Sequence, residues 1–277
     1  ALRRDIHAHP ELGFEEVYTS ARVQEALRLC GVDEVHTGLG KTGVVALIHG
    51  QHHSGAASSA PRMIGLRADM DALPMPEDTD VAFKSRVENV MHACGHDTHT
   101  SMLMGAAKIL SARKADIAGR VLFMFQPGEE GHDGAGVMLA EGAHMVSGKK
   151  PIAAYGIHVF SAMLPNRVFA SRPGAMMASA GDLIVKVHGA GGHGSSPWMS
   201  NDPITPLVEA ISGLQTFLNK KLNAFDPVII NVGWLEAGDT HTTNVIPETA
   251  AFGATVRTFS REHFAKVRVV VAEYLDG

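Results

Sequence analysis

Cysteine is scarce in this sequence: Cys30 and Cys94 are the two among 277 residues. Two thiols cannot build a disulfide framework, and a reducing compartment suits them, so the expected location is the cytoplasm. Charge of one sign is also missing. Lys and Arg number 24 against 29 Asp and Glu, a formal net charge of −5. That balance excludes the strong basic field that nucleic acid or an anionic membrane would need, so neither is an expected partner. Long apolar runs are absent too. Residues 121–125 and 267–272, the latter broken by Arg268, fall far short of the roughly 20 that span a bilayer. The opening Leu2-Arg3-Arg4-Asp5 has no apolar signal-peptide region, so no leader is expected.

What is present is enough for a core: 45% hydrophobic against 19% charged residues. At about 150 residues per domain, the length suggests roughly two domains. Histidine is abundant, with 16 copies, several beside Asp, Glu or Cys. Surface histidine without a role is one reading; metal binding is the sharper one.

The first part alternates helix and strand. Residues 16–30 read as a helix ending at Gly31, with Val17, Ala21, Leu27 and Cys30 on its buried side. Residues 43–48, 63–67, 121–125 and 152–159 read as strands, and 98–113 as a helix carrying Met102, Leu103, Ala106, Ile109 and Leu110 at helical spacing. Residues 49–61 read as an exposed polar loop. Near-continuous apolar strands alternating with helices predict an α/β sheet covered on both faces. From about Ser179 the order becomes β-α-β-β-α: strands at 183–187, 228–235 and Thr249–Thr258, helices at 203–222 and Arg261–Leu275. The 203–222 helix should bury Ile204, Leu207, Val208, Ile211, Leu214, Leu218 and Leu222. A ferredoxin-like unit would add one more strand. The sequence therefore reads as a fragment of a longer chain, with one domain at 1–178 and a ferredoxin-like α+β domain at 179–277.

Gly38, Gly40 and Gly43 match a G-x-G-x-x-G pattern, but they precede a strand where a dinucleotide site needs a helix start, so no nucleotide role follows. No G-x-S-x-G elbow is present.

Four segments concentrate metal-type side chains: Arg67-Ala68-Asp69-Met70-Asp71, His92-Ala93-Cys94-Gly95-His96-Asp97-Thr98-His99, Gln126-Pro127-Gly128-Glu129-Glu130-Gly131, and His158. Each stands at a strand end or just before a helix, where open α/β sheets hold ligands. Thiolate, imidazole and carboxylate suit zinc, manganese, nickel or cobalt, and a thiolate can bridge two cations. Cys94 and His96, two apart in a glycine-containing turn, can both aim inward. Adjacent Glu129 and Glu130 need different roles: Glu130 as a ligand and Glu129 as general base on a water, or the reverse.

These motifs, with His7-Ala8-His9-Pro10-Glu11-Leu12, resemble the hippurate hydrolase and auxin-conjugate amidohydrolase branch of the aminoacylase-type di-metal peptidases. The resemblance implies a catalytic domain with a mixed sheet and two divalent ions, plus an inserted lid domain that often dimerises. It implies Cys94 as bridging ligand, His96, Glu130 and His158 as further ligands, and Glu129 as base. Asp69 matches an aspartate that orients site groups, whereas Arg67 stands where other branches carry a metal-binding histidine. His193, in Gly191-Gly192-His193, resembles the lid histidine that stabilises the oxyanion, and Asn244 and Arg257 resemble positions that hold a substrate carboxylate. The family expects one more ligand histidine nearer its C-terminus than this chain reaches, and Trp198 replaces a frequent histidine. The implied activity is hydrolysis of N-acyl amino acids by a homodimer or higher homo-oligomer. A dipeptidase or exopeptidase on the same scaffold, or a non-catalytic metal-binding dimerisation module, are the other readings.

Overall fold

The computed structural model describes residues 1–52, 62–162, 164–225 and 227–276. Most of the polar loop expected at 49–61 lies outside the described residues. Two compact units divide the chain, Ala1–Arg167 and Val168–Gly277.

The first unit runs α1 (Leu2–Ala8), α2 (Val17–Cys30), β1 (Glu34–Leu39), β2 (Gly43–His49), β3 (Met63–Asp69), α3 (His96–Ser111), β4 (Arg120–Gln126), α4 (Gly134–Ala140) and β5 (Ala153–Gly156). Its five strands lie in the order β1-β2-β4-β3-β5. β2 is antiparallel to β1 and β4, whereas β4, β3 and β5 are mutually parallel, so the sheet is mixed. Side chains alternate across a strand. Val44, Ala46 and Ile48 therefore face Val23 and Leu27 of α2 and Leu103, Met104 and Ala107 of α3. Val45 and Leu47 point the other way, onto Met138 of α4. Burial on both faces explains why β2 reads as an unbroken apolar run.

Several elements differ from the sequence reading. The strand expected over 152–159 ends at Gly156, so His158 lies beyond it on irregular backbone. The α2 stripe is Thr19, Ser20, Val23 and Leu27, while Val17 is 69% exposed. Glu11 explains the polar start of that stripe: its two carboxylate oxygens accept the Tyr18 and Thr19 N–H groups, each at 2.8 Å, and so turn this side of the first turn inward. On α3, Met102 and Ile109 are exposed, and the buried face begins instead with His96, Asp97, His99 and Thr100. Polar residues hold that position because this helix end faces the ligand-type side chains. The glycine pattern forms the β1–β2 turn, with Gly38 and Gly40 at positive φ; β1, α1 and α4 carried too little periodicity to be read.

The second unit runs β6 (Gly181–His188), β7 (Gly192–His193), α5 (Ile204–Lys221), β8 (Val228–Ala237), β9 (Val245–Ile246), β10 (Thr249–Thr258) and α6 (Arg261–Leu275). β6, β10 and β8 form an antiparallel sheet in that order, and β7 pairs with β9. The core joins Leu207, Leu214 and Leu218 of α5 to Val267, Val270 and Val271 of α6 and to Ile230, Phe252 and Val256 of the sheet. Val208, expected inside, is 47% exposed. The Ser260 hydroxyl caps α6 by accepting the His263 N–H at 3.0 Å. Among the described residues no helix is long and apolar enough to cross a membrane.

Candidate metal centre

The parallel strands β3, β4 and β5 bring their carboxyl ends to one edge, with Asp69 opposite Gln126 and Arg67 opposite Gly156. Three of the motif segments leave from there: Asp69-Met70-Asp71, the 127–131 turn and the backbone leading to His158. The fourth is the start of α3. Gly95 precedes it with φ +94°, and a Cβ there would sit 2.5 Å from Val159 Cγ2. Only glycine allows that approach, which sets Cys94 beside His158, Sγ to Nε2 3.3 Å.

His96 lies at the middle. It is 1% exposed, and its Nε2 is 3.8 Å from Glu129 Oε2, 3.8 Å from Glu130 Oε1 and 3.7 Å from Asp69 Oδ2. Its Nδ1 meets Asp71 Oδ1 at 3.1 Å. Asp71 Oδ2 accepts the Glu130 N–H at 2.8 Å, so one buried carboxylate positions two of the ligand-type residues. The motif containing Asp71 was visible in the sequence; its double contact was not, because the partners lie 25 and 59 residues away.

Whether these residues fit a cation is decided by their unmet valences. His96 Nε2 and Glu130 Oε1 are buried without a hydrogen-bond partner, although such atoms are nearly always paired. Cys94, His96 and His158 form one set, and His96, Glu129 and Glu130 another, with ligand atoms in each within 4.8 Å of one another. The electrostatics agree. Burial opposes a charged His96, yet contacts to Asp71, Cys94 and Asp69 push its pKa up to about 11. So many acids around one ring call for positive charge, which a divalent ion supplies in place of the proton. The donors fit a transition metal. In a third grouping, Asp69, His96 and His99, the Asp69 and His99 groups are already satisfied by one another and by their neighbours. His99 Nδ1 is 2.6 Å from Asp69 Oδ1, and His99 Nε2 accepts the Val159 N–H at 2.9 Å. Arg67 donates to the other Asp69 oxygen at 2.6 Å and to Gln126 Oε1 at 2.8 Å. Burial would raise the Asp69 carboxyl, but the His99 contact and the neighbouring positive charges bring it down to about 2. Glu129 is shifted the other way, raised by burial and by the charge of Glu130. His92, from the same motif as Cys94, is buried and held to about 4 by that burial.

A model of peptidase family M20/M25/M40 matches residues 65–271. The chain belongs to that family. It is 39% identical over 270 residues to thermostable carboxypeptidase 1 of Saccharolobus solfataricus, covering 96% of this chain and 65% of that protein. It is 37% identical over 261 residues to the hippurate hydrolase of Campylobacter jejuni, covering 94% of this chain and 64% of the relative. The crystal structure of a dinuclear metal-binding M20 peptidase from Bacillus subtilis matches with a TM-score of 0.74 at 32% identity, covering 100% of this chain and 69% of that one. The M20 chain thus spans about 65% of the length of these curated relatives.

Its other expected site residues lie in the second unit. His193 is exposed on β7, and its Nδ1 accepts the Ser195 N–H at 3.2 Å with Ser195 Oγ at 2.8 Å. Pairing of β7 with β9 puts His193 opposite Val245, the residue after Asn244, and the Asn244 carbonyl accepts the Gly194 N–H at 2.7 Å. His193 and Asn244 are therefore neighbours. Arg257 is half-buried on β10 opposite Ile229, and among the described residues its guanidinium has no ion-pair partner.

Proposed function

We propose that this M20 chain carries the metal site of an amidohydrolase that cleaves the amide bond of N-acyl amino acids, hippurate-like conjugates among them. The observation that carries the reading is the orphaned pair His96 Nε2 and Glu130 Oε1, facing each other at 3.8 Å. Cys94, His96, Glu130 and His158 would hold two divalent ions of the zinc, manganese, nickel or cobalt class as this chain's share of the ligands. When bound, such ions acidify a water and polarise a carbonyl. Glu129 has no ligand role in this scheme. Its half-exposed carboxylate takes a proton from the attacking water and delivers it to the leaving nitrogen. Its raised pKa suits the first step, because the conjugate base of a weaker acid is a stronger base. Asp69 orients the site through Arg67 and His99. With Nδ1 accepting from the Ser195 N–H, His193 presents its Nε2–H as a donor for an oxyanion. Asn244 and Arg257 hold the substrate carboxylate, a guanidinium fork matching its geometry.

The domains in this reading are a catalytic domain over 1–178 and a lid over 179–277 through which copies dimerise, in the cytoplasm. Similarity to a carboxypeptidase favours a second reading, exopeptidase action on the same scaffold. A non-catalytic module is disfavoured, since a binder has no use for a second glutamate beside its ligands.

The test is a panel of N-benzoyl, N-acetyl and indole-acetyl amino acids together with dipeptides, run with and without chelator. Chelation should abolish hydrolysis, and zinc, manganese, cobalt or nickel should restore it. Full activity in chelator would rule the reading out; turnover of the dipeptides alone would select the exopeptidase.

A further inference from the structure

The turn carrying Glu129 and Glu130 is held from outside the metal centre by a residue 112 positions away. Glu16 stands at the N-terminus of α2 and is fully buried. One carboxylate oxygen accepts the Gly128 N–H at 2.8 Å, and the other accepts the Thr42 hydroxyl at 2.5 Å. The main-chain groups of Phe14 and of Glu16 itself add further contacts. No lysine, arginine or histidine pairs with it among the described residues, so this acid is kept in the interior by neutral donors. A buried carboxylate without a cation is costly, and burial pushes its pKa up.

The grip falls where the turn has least freedom. Gly128 has φ +55°, and a Cβ there would lie 3.1 Å from His132 Cβ and 3.4 Å from the Phe14 ring. Its carbonyl accepts the Gly134 N–H at 2.9 Å. Two residues on, Asp71 holds the Glu130 N–H at 2.8 Å. Glu129 lies between the two anchored amides.

We propose that Glu16 is a positioning residue for the glutamate pair: it fixes the Gly128 amide while Asp71 fixes the Glu130 amide, and together they set where Glu129 and Glu130 point. The inference rests on the roles given to those glutamates above. A misplacement of about 1 Å costs on the order of 100-fold in rate, so the anchor has consequences for turnover.

The test compares Glu16→Ala and Glu16→Gln in the intact protein, by steady-state hydrolysis of N-benzoylglycine and by calorimetric titration with cobalt. Glutamine keeps both contacts, with Oε1 accepting from Gly128 and the amide donating to Thr42 Oγ1. Glu16→Ala should lower kcat by about 10-fold or more with KM little changed, and weaken cobalt binding by about 10-fold. Glu16→Gln should recover most of both. A purely structural role would lower the melting temperature and leave cobalt affinity untouched below it. A folded Glu16→Ala with wild-type kcat and cobalt affinity overturns the proposal, as does a Glu16→Gln as impaired as the alanine variant. If Glu16→Ala does not fold, Thr42→Val removes one contact and should shift kcat and cobalt affinity in the same direction; no shift in either counts against the role. Should the wild type hydrolyse no amide, the amidohydrolase reading falls, and the cobalt titrations alone still decide the role of Glu16.

Discussion

Asp71 ties His96 to Glu130: one oxygen lies 3.1 Å from His96 Nδ1, and the other accepts the Glu130 N–H at 2.8 Å. Burial alone would raise this carboxyl, but the His96 contact and the backbone N–H groups of the turn lower it, so it stays ionised. Asp71→Asn keeps the volume and loses one of the two acceptors. Metal affinity and kcat should each fall by about 10–100-fold. Calorimetry and kinetics on the same preparation check this, and wild-type values for both would remove Asp71 from the site.

Glu129→Gln should bind metal normally and lose on the order of 100-fold or more in turnover. In the wild type the base must be ionised. Protonation of Glu129 removes the base, so kcat/KM should fall as pH drops into the acid range. An acid limb unchanged in Glu129→Gln would assign that titration to another group.

Glu77 gives a pH dependence of stability separate from the metal centre. Burial would raise its pKa, but the Thr79 hydroxyl, the Ser85 N–H at 2.6 Å and His7 Nε2 at 3.1 Å bring it down to about 2. A depressed folded-state pKa means that the contribution is present above the unfolded value of 4.5 and is lost as pH falls from there through about 2. Urea denaturation should show Glu77→Gln less stable than wild type near neutral pH, with the gap closing toward about pH 2. A constant gap across that window contradicts the assignment.

Gly95→Ala puts a methyl 2.5 Å from Val159 Cγ2 on backbone with φ +94°. The expected cost is about 1–3 kcal/mol of stability, read by denaturant midpoint. Weaker metal binding should accompany it, because Val159 neighbours His158. A neutral effect on both would show that the loop yields freely.

Much of the chemistry could be read from residue types. Cys94, His96, Glu129, Glu130 and His158 stood out because thiol, imidazole and paired acids in short glycine-containing motifs are rarely accidental. The strands ending at Asp69 and Gln126 were legible because burial on both faces leaves an unbroken apolar run. On α2 and α3 the sequence shows only part of the buried stripe: Leu27, Cys30, Leu103, Ala106 and Leu110 join the core as expected, whereas Val17, Met102 and Ile109 are exposed. Periodicity finds apolar faces, and these two helices bury Thr19, Ser20, His96, Asp97 and His99 near their first turns.

The amino-acid order by itself determined which ligand atoms exist and which strand ends carry them, since side-chain chemistry and hydrophobic period are local properties. The tertiary structure decided which acid serves which partner: Asp71 on His96 and Glu130, Asp69 on Arg67 and His99, Glu16 on Gly128. Such pairings arise when parallel strands and a helix start converge on one edge. Hydrogen bonds between groups tens of residues apart leave no period or spacing along the chain.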